Sequence, residues 1–249
     1  MLQSARIIRT PCGMMEERAS SRKLQAKGAH MAVIEPFIGI IPIEELQGAE
    51  EGVFEMLHMD RDDVMDQFDD VFEDTDVKCR ENLVCKGMYV SLDIEGIEGD
   101  EVRLQGGAVL VSQQLAEVLS CADELVFYAI TVHGYEELSK DPENSMFDSM
   151  FYDAWGVGYA MDCHRWIKAA IDERVQACGL HVGRSWIPGE GELELNLQNE
   201  VFKILDPSQI GVEFSESGLM RPVMTISGMK GASANPDIES AGQDIVSYH

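Results

Sequence analysis

Three stretches of this sequence carry residue types whose chemistry could hold a small ligand. The first is Arg184-Ser185-Trp186-Ile187-Pro188-Gly189-Glu190-Gly191. Gly189 and Gly191 free the backbone to turn tightly and to approach a ligand. Pro188 stiffens the entry to that turn, and Arg184 offers a planar, permanently charged fork suited to a carboxylate. The second is Ser215-Glu216-Ser217-Gly218-Leu219-Met220-Arg221-Pro222, where two hydroxyls, a carboxylate and a glycine fill a connection longer than a tight hairpin. Loops of this kind present polar groups to ligands. The third, Ala129-Ile130-Thr131-Val132-His133-Gly134, is a strand end that could border a pocket. Taken singly, each also reads as ordinary structure. Pro-Gly-x-Gly is a common turn, an arginine is often a surface residue, and a lone histidine is more often structural than a base.

These stretches must be positioned by a sizeable core, and the composition supplies one. The chain has 249 residues, of which 45% are hydrophobic. That suits one large domain, or one with a small appendage. The formal net charge of −26 repels phosphate backbones, so nucleic acid is a poor partner. No apolar run is long enough to span a bilayer and no secretory signal is visible, so a cytoplasmic protein without a membrane role is expected. The six cysteines (Cys12, Cys79, Cys85, Cys121, Cys163 and Cys178) show no C-x-x-C pair and no zinc-finger spacing. They are read as reduced thiols, with no metal site.

Residues 1–30 hold six basic residues among Ser and Gly with little periodicity. They are read as a flexible extension, part of which could come from an expression vector, with Met31 as a natural start. An α/β segment over 31–87 is expected to pack on a core domain over 88–232, followed by a tail over 233–249. Val33–Ile43 reads as a short edge strand and turn. Gly52–Phe72 reads as one helix with an acidic solvated face, and Val90–Leu104 as a hairpin turning at Gly96–Asp100. Ser112 is an N-cap candidate, and Leu125–Val132 a buried strand. The stripe Met146, Met150, Ala154, Val157, Met161, Ile167, Ile171, Val175 marks the longest helix, started at Asp141-Pro142 and ended by Gly179. Gly156 and Gly158 inside it cost about 1 kcal/mol each against Ala, a cost met where another backbone or a ligand packs close. A helix over Leu197–Leu205 and strands over Ile210–Phe214 and Val223–Ile226 complete the reading. Without regular βαβ alternation, the class is α+β, a mixed or antiparallel sheet flanked by helices.

In order, the motifs resemble the activation domain of cobalamin-dependent methionine synthase and its stand-alone relatives. The matching stretches are Thr131–Gly134, Asp153-Ala154-Trp155-Gly156, Arg184 with Pro188-Gly189, Gln198 and Asp206-Pro207. They continue with Ile210-Gly211-Val212, Ser215-Glu216-Ser217, Met220, Pro222 and Thr225-Ile226-Ser227-Gly228. The resemblance spans roughly residues 88 to 229. It implies a binding site for S-adenosylmethionine built from Arg184, Pro188, Gly189, Glu190, Gly191, Glu216 and Ser217, with Arg184 on the methionine carboxylate. It also implies a role in reductive methylation of a corrinoid, with methyl transfer of the methionine synthase kind if the chain is active. The partners would be a corrinoid-binding protein or methyltransferase and a flavodoxin-like reductant.

Two departures stand out. Glu190 replaces the tyrosine that follows Pro-Gly in the family, and one extra residue separates Arg184 from Gly189. The chain lacks a cobalamin-binding Asp-x-His-x-x-Gly motif, so cobalamin would arrive only on a partner. The alternatives are a non-catalytic binding or scaffold module of the same fold that has lost the methyl-donor site, and an independent enzyme using His133 with Asp153 or Asp162.

Overall fold

The computed structural model of the chain describes residues 34–191, 193–214 and 219–243. The proposed extension over 1–30 lies outside the described residues, as do Glu216 and Ser217. The first strand, β1 (Phe37–Ile40), is the edge strand expected near Pro36. The single helix expected over Gly52–Phe72 is instead two helices, α1 (Ala49–Leu57) and α2 (Arg61–Asn82). His58 breaks them with a left-handed backbone at φ 52°, and Asp60 restarts the chain by accepting a 2.9 Å bond from the Asp63 amide. The apolar spacing of the sequence continues on both sides of the three-residue break at 58–60, so it reads as one helix.

Strand β2 (Val84–Glu98) turns at Gly99–Asp100 into β3 (Glu101–Leu104), forming the expected hairpin. A third strand, β4 (Val109–Val111), leads to α3 (Gln113–Val118), which Ser112 caps as expected by accepting from the Leu115 amide at 3.2 Å. Strand β5 (Glu124–His133) is the buried strand read from the sequence. A short helix, α4 (Tyr135–Ser139), precedes α5 (Met146–Ala177), the longest element at 32 residues. Asp141-Pro142 does not start α5. The Asp141 carboxylate accepts from the Glu143 amide at 2.9 Å in a local turn. The helix opens with a reciprocal Ser145–Asp148 capping box, which satisfies two otherwise orphan amides.

Strand β6 (His181–Trp186), which carries Arg184, is followed by α6 (Leu197–Leu205), as expected for that helix. The strand expected over Ile210–Phe214 shrinks to β7 (Glu213–Phe214), paired only with β8 (Met220–Arg221). The cause lies in Asp206 and Gly211, whose left-handed backbones at φ 48° and 81° bracket a helical turn over Pro207–Ile210. The strand expected over Val223–Ile226 is β9 (Thr225–Ser233), which starts later and runs seven residues further. Gly228 and Gly231 hide it from propensity, but each lies where another side chain takes the room of a Cβ: the Tyr128 hydroxyl at Gly228, and Leu119 at 2.8 Å from where a Cβ would stand on Gly231.

Among the described residues all strand pairs are antiparallel, and the main sheet has seven strands in the order β4-β3-β2-β5-β9-β6, with β1 also on β2. The protein is α+β, with helices on both faces of an antiparallel sheet. Strand β5 shows why. Val126, Tyr128, Ile130 and Val132 enter one core with α1, α2 and α5, while Leu125, Phe127 and Ala129 enter a second with α3 and α6. Alternation of period two, apolar on both faces, requires cover on both. Where α1 crosses α5, a Cβ on Gly52 would lie 2.7 Å from the Gly158 Cα and one on Gly158 would collide with the Ala49 carbonyl. Gly158 therefore serves helix packing, not a ligand.

Candidate functional site

Arg184 lies on β6, an edge strand that pairs only with β9 and whose register slips between Val182 and Ser185. Its guanidinium stacks over Trp186, two residues on and on the same side of the strand, at 5.5 Å from the ring centroid. Arg184 Nη1 donates to the Gly242 carbonyl at 2.8 Å. Trp186 itself is buried among Leu115, Val118 and Leu197 in the second core, so the cation rests on a fixed apolar shelf.

The strand runs directly into the Pro188–Gly191 turn. Glu190 N donates to Ile187 O at 3.1 Å, and Gly189 N to Leu193 O at 2.9 Å. Gly189 and Gly191 take φ values of 93° and 59°, a backbone that other residues enter only with strain. Leu193, 3% exposed, plugs the turn into the core. Glu190 points outward, exposed.

Against this turn opens a cleft of about 470 Å³ between the β2–β3 turn, α3 and the approach to α6. Asp100, Glu117 and Glu194 line it, and among the described residues neither lysine nor arginine does. Gln113 donates to Glu117 at 3.0 Å and Asn196 to Glu194 at 2.7 Å. Gln114, at the floor, has its amide nitrogen 3.9 Å from where a Gly191 Cβ would sit, and its buried Oε1 has no hydrogen-bond partner. A buried acceptor left unpaired costs about 1–3 kcal/mol. An acidic cleft that meets the turn at Gly191, on the strand's exit from Arg184, suits a zwitterion whose carboxylate and cationic groups lie apart.

The remaining motif residues are brought together, but on one another. Gln198 donates to Ser227 Oγ in a short bond and approaches Met220 Sδ at 3.7 Å. Thr225 Oγ1 donates to the Pro222 carbonyl at 2.7 Å and shares a 2.8 Å hydrogen bond with Thr131. His133 Nε2 donates to Ile210 O at 2.9 Å. These contacts lock the ends of β5 and β9 to one another, to α6, to the turn before β7 and to Pro222 just after β8. The acidic candidates are likewise structural: Asp153 accepts from Ser139 at 2.6 Å, and Asp162 holds Gly48 N at 2.8 Å and Arg165 Nε at 3.0 Å. Both lie on α5, across the sheet from Arg184. The residues of an independent enzyme are thus engaged in holding the fold. Among the described residues no group of His, Cys, Asp or Glu has the geometry to hold a metal, and no helix is long and apolar enough to cross a membrane.

One polar cluster escaped the sequence reading. Tyr128, buried on β5, bonds His164 Nε2 at 2.8 Å and Ser185 Oγ, and Lys230 on β9 pairs with Asp172. Burial first, then the ammonium groups of Lys168 and Lys230, hold the His164 imidazole down to about 4. Burial and Lys230 also lower Lys168, against the pull of Asp172 and Glu190. The available signal was His164, Lys168 and Asp172 at four-residue intervals, one face of a helix.

No protein-family model matches the chain, and no curated protein matches it. Among solved structures, the crystal structure of the MetH reactivation domain bound to AdoHcy aligns with a TM-score of 0.63, covering 84% of this chain and 80% of that one. The fold is that of the MetH reactivation domain. Sequence identity over the alignment is 14%, so the likeness to the reactivation domain is one of architecture.

Proposed function

We propose that this chain binds S-adenosylmethionine on β6 and the turn after it, and that it supports reductive methylation of a corrinoid carried by a partner protein. The observation that carries the reading is Arg184 stacked on Trp186 on the strand that leads into Pro188–Gly191, a turn whose Gly191 lies against Gln114 of an acidic cleft. Arg184 would take the methionine carboxylate, Gly189 and Gly191 would let the backbone approach the ligand, and Asp100, Glu117 and Glu194 would favour its positive groups. Glu216 and Ser217 belong to the proposed site on motif order alone. The solved domain of this fold that binds AdoHcy supports the choice of ligand. When bound, S-adenosylmethionine supplies an activated methyl group, while the chain supplies orientation and electrostatic balance. The corrinoid, its protein and a flavodoxin-like reductant are external partners in this reading.

Calorimetric titration of the chain with S-adenosylmethionine tests it. We expect a dissociation constant below millimolar, weakened at least tenfold by Arg184→Ala. No heat of binding at millimolar ligand would sink the proposal. A second reading, a scaffold module without the methyl donor, is favoured by Glu190, which leaves an acidic side chain where the family presents a tyrosine. Co-purification of a corrinoid protein with a chain that ignores S-adenosylmethionine would select it.

A further inference from the structure

Residues 234–243, in the segment read as a tail, return across β6. Their anchor is Ile238, 1% exposed, which fills the space over Gly183 and Gly231, 3.2 Å from where a Cβ would stand on either glycine. Beside it, His181 Nδ1 and Glu239 Oε1 are 2.7 Å apart. Beyond the anchor the chain turns on itself, with Ser240 Oγ donating to Asp237 O at 3.0 Å and Gln243 N to Ser240 O at 3.2 Å.

That turn sets Gly242 on the Arg184–Trp186 shelf. The Gly242 carbonyl accepts from the guanidinium, and its α-carbon rests on the indole so closely that a Cβ would come within 2.6 Å of the ring. Its φ of 73° is a second reason the position takes glycine. A carbonyl oxygen on a guanidinium is the uncharged counterpart of a carboxylate oxygen. It makes the same bond more weakly, because a charge-assisted bond is about twice as strong. The carbonyl is tethered, however, and so acts at high effective concentration.

We propose that residues 240–243 are an autoinhibitory strap, occupying the carboxylate end of the Arg184–Trp186 shelf and giving way when ligand binds. This rests on Arg184 being the carboxylate site, as argued above. Ile238 is the pivot: it stays in the core while the four residues beyond it lift. The strap lowers apparent affinity by the fraction of molecules in which it is open. A partner that captured the segment would raise affinity without touching the ligand, which would couple the site to assembly.

Three proteins test this by calorimetry with S-adenosylmethionine: the full chain, a chain ending at Glu239 that keeps the Ile238 anchor, and full-length Gly242→Ala. Shortening the chain and crowding the strap off the indole should each tighten binding by about tenfold, the factor expected of a strap closed nine-tenths of the time. In the full chain, ligand should speed hydrogen exchange at the amides of 241–243 while slowing it in β6. Melting curves identify a variant that has lost its fold, and Gly242→Ala keeps the test open if the shortened chain is unstable. Equal or weaker binding by both variants, with Arg184→Ala still defective, would overturn the strap and leave the ligand reading intact. Binding by none of the three would overturn both.

Discussion

The two faces of the sheet are built to opposite rules. On the α5 face, Phe151, Trp155 and Tyr159 pack with Val126 and Ile130, and polar groups enter as closed pairs: Lys230 with Asp172, and Tyr128 with His164 and Ser185. On the α3–α6 face the core is smaller and its rim is unfinished. There a cleft carries three carboxylates with no lining cation among the described residues, and Gln114 has an acceptor with no partner. Closed pairs stabilise a fold, whereas unmatched groups are what a ligand can satisfy. The difference teaches where to look for function: at the cleft where Asp100, Glu117 and Glu194 converge and the Gln114 amide oxygen lacks a partner.

The comparison can be broken most forcefully at the helix crossing. Gly158→Ala drives a methyl into the Ala49 carbonyl. Overpacking costs about 1–3 kcal/mol where side chains can yield, and a backbone yields less. We expect at least the upper figure, read as a large fall in melting temperature, and an unchanged melt would remove the close-packing role given to that glycine. Next comes Asp172→Asn, which strands the Lys230 ammonium at 7% side-chain exposure. Breaking a buried pair costs about 3–5 kcal/mol. Because Asp172 is itself 35% exposed, we expect a smaller loss, about 2 kcal/mol by the same principle, in urea titration. Lys230→Met should cost less than Asp172→Asn, since it leaves no buried charge.

A pH experiment sharpens the same contrast. His164 is held down to about 4 in the folded protein, against about 6.5 in an unfolded chain. As pH falls the unfolded chain takes the proton first, so stability is lost from about pH 6.5 down to about 4. Relative to His164→Gln, the unaltered chain should lose about 2 kcal/mol between pH 6.5 and 4.5. Parallel stability curves for the two proteins would remove His164 from the buried network.

The smallest effect is expected on the open face. Gln114→Leu deletes an unpaired acceptor, so stability should stay level or rise by up to about 1 kcal/mol, while affinity for S-adenosylmethionine should fall several-fold. A clear loss of stability would show that Gln114 belongs to the closed kind of polar group after all.

Much of the fold was legible because local rules and tertiary demands agree along most of the chain. Ser112 caps a helix by its own hydroxyl, Leu197–Leu205 shows a helical stripe, and β5 is apolar at every position but its ends and Thr131. Legibility failed where a distant residue decided. Strand β9 reads as a small-residue loop until Tyr128 and Leu119 are seen to need the space at Gly228 and Gly231. Helix α5 starts at Ser145 rather than at Pro142 because a reciprocal cap outweighs a favourable first residue. Of the site, Arg184 and the Pro188–Gly191 turn were visible as residue types at a spacing. The acidic cleft was not, since Asp100, Glu117 and Glu194 converge from three separate segments.

By itself the sequence determined the alternation that makes an antiparallel sheet with two covered faces, and the order of motifs that points to the reactivation-domain fold. Those properties are local or linear, set by period and by residue type. Only the tertiary structure decided what each of the motif residues touches. Thr131, Gln198, Ser227 and His133 are consumed by hydrogen bonds across the fold, while Arg184 stands at an edge beneath Gly242. Hydrogen-bond capacity is a property of neighbours, and those neighbours lie as far as 94 residues away along the chain.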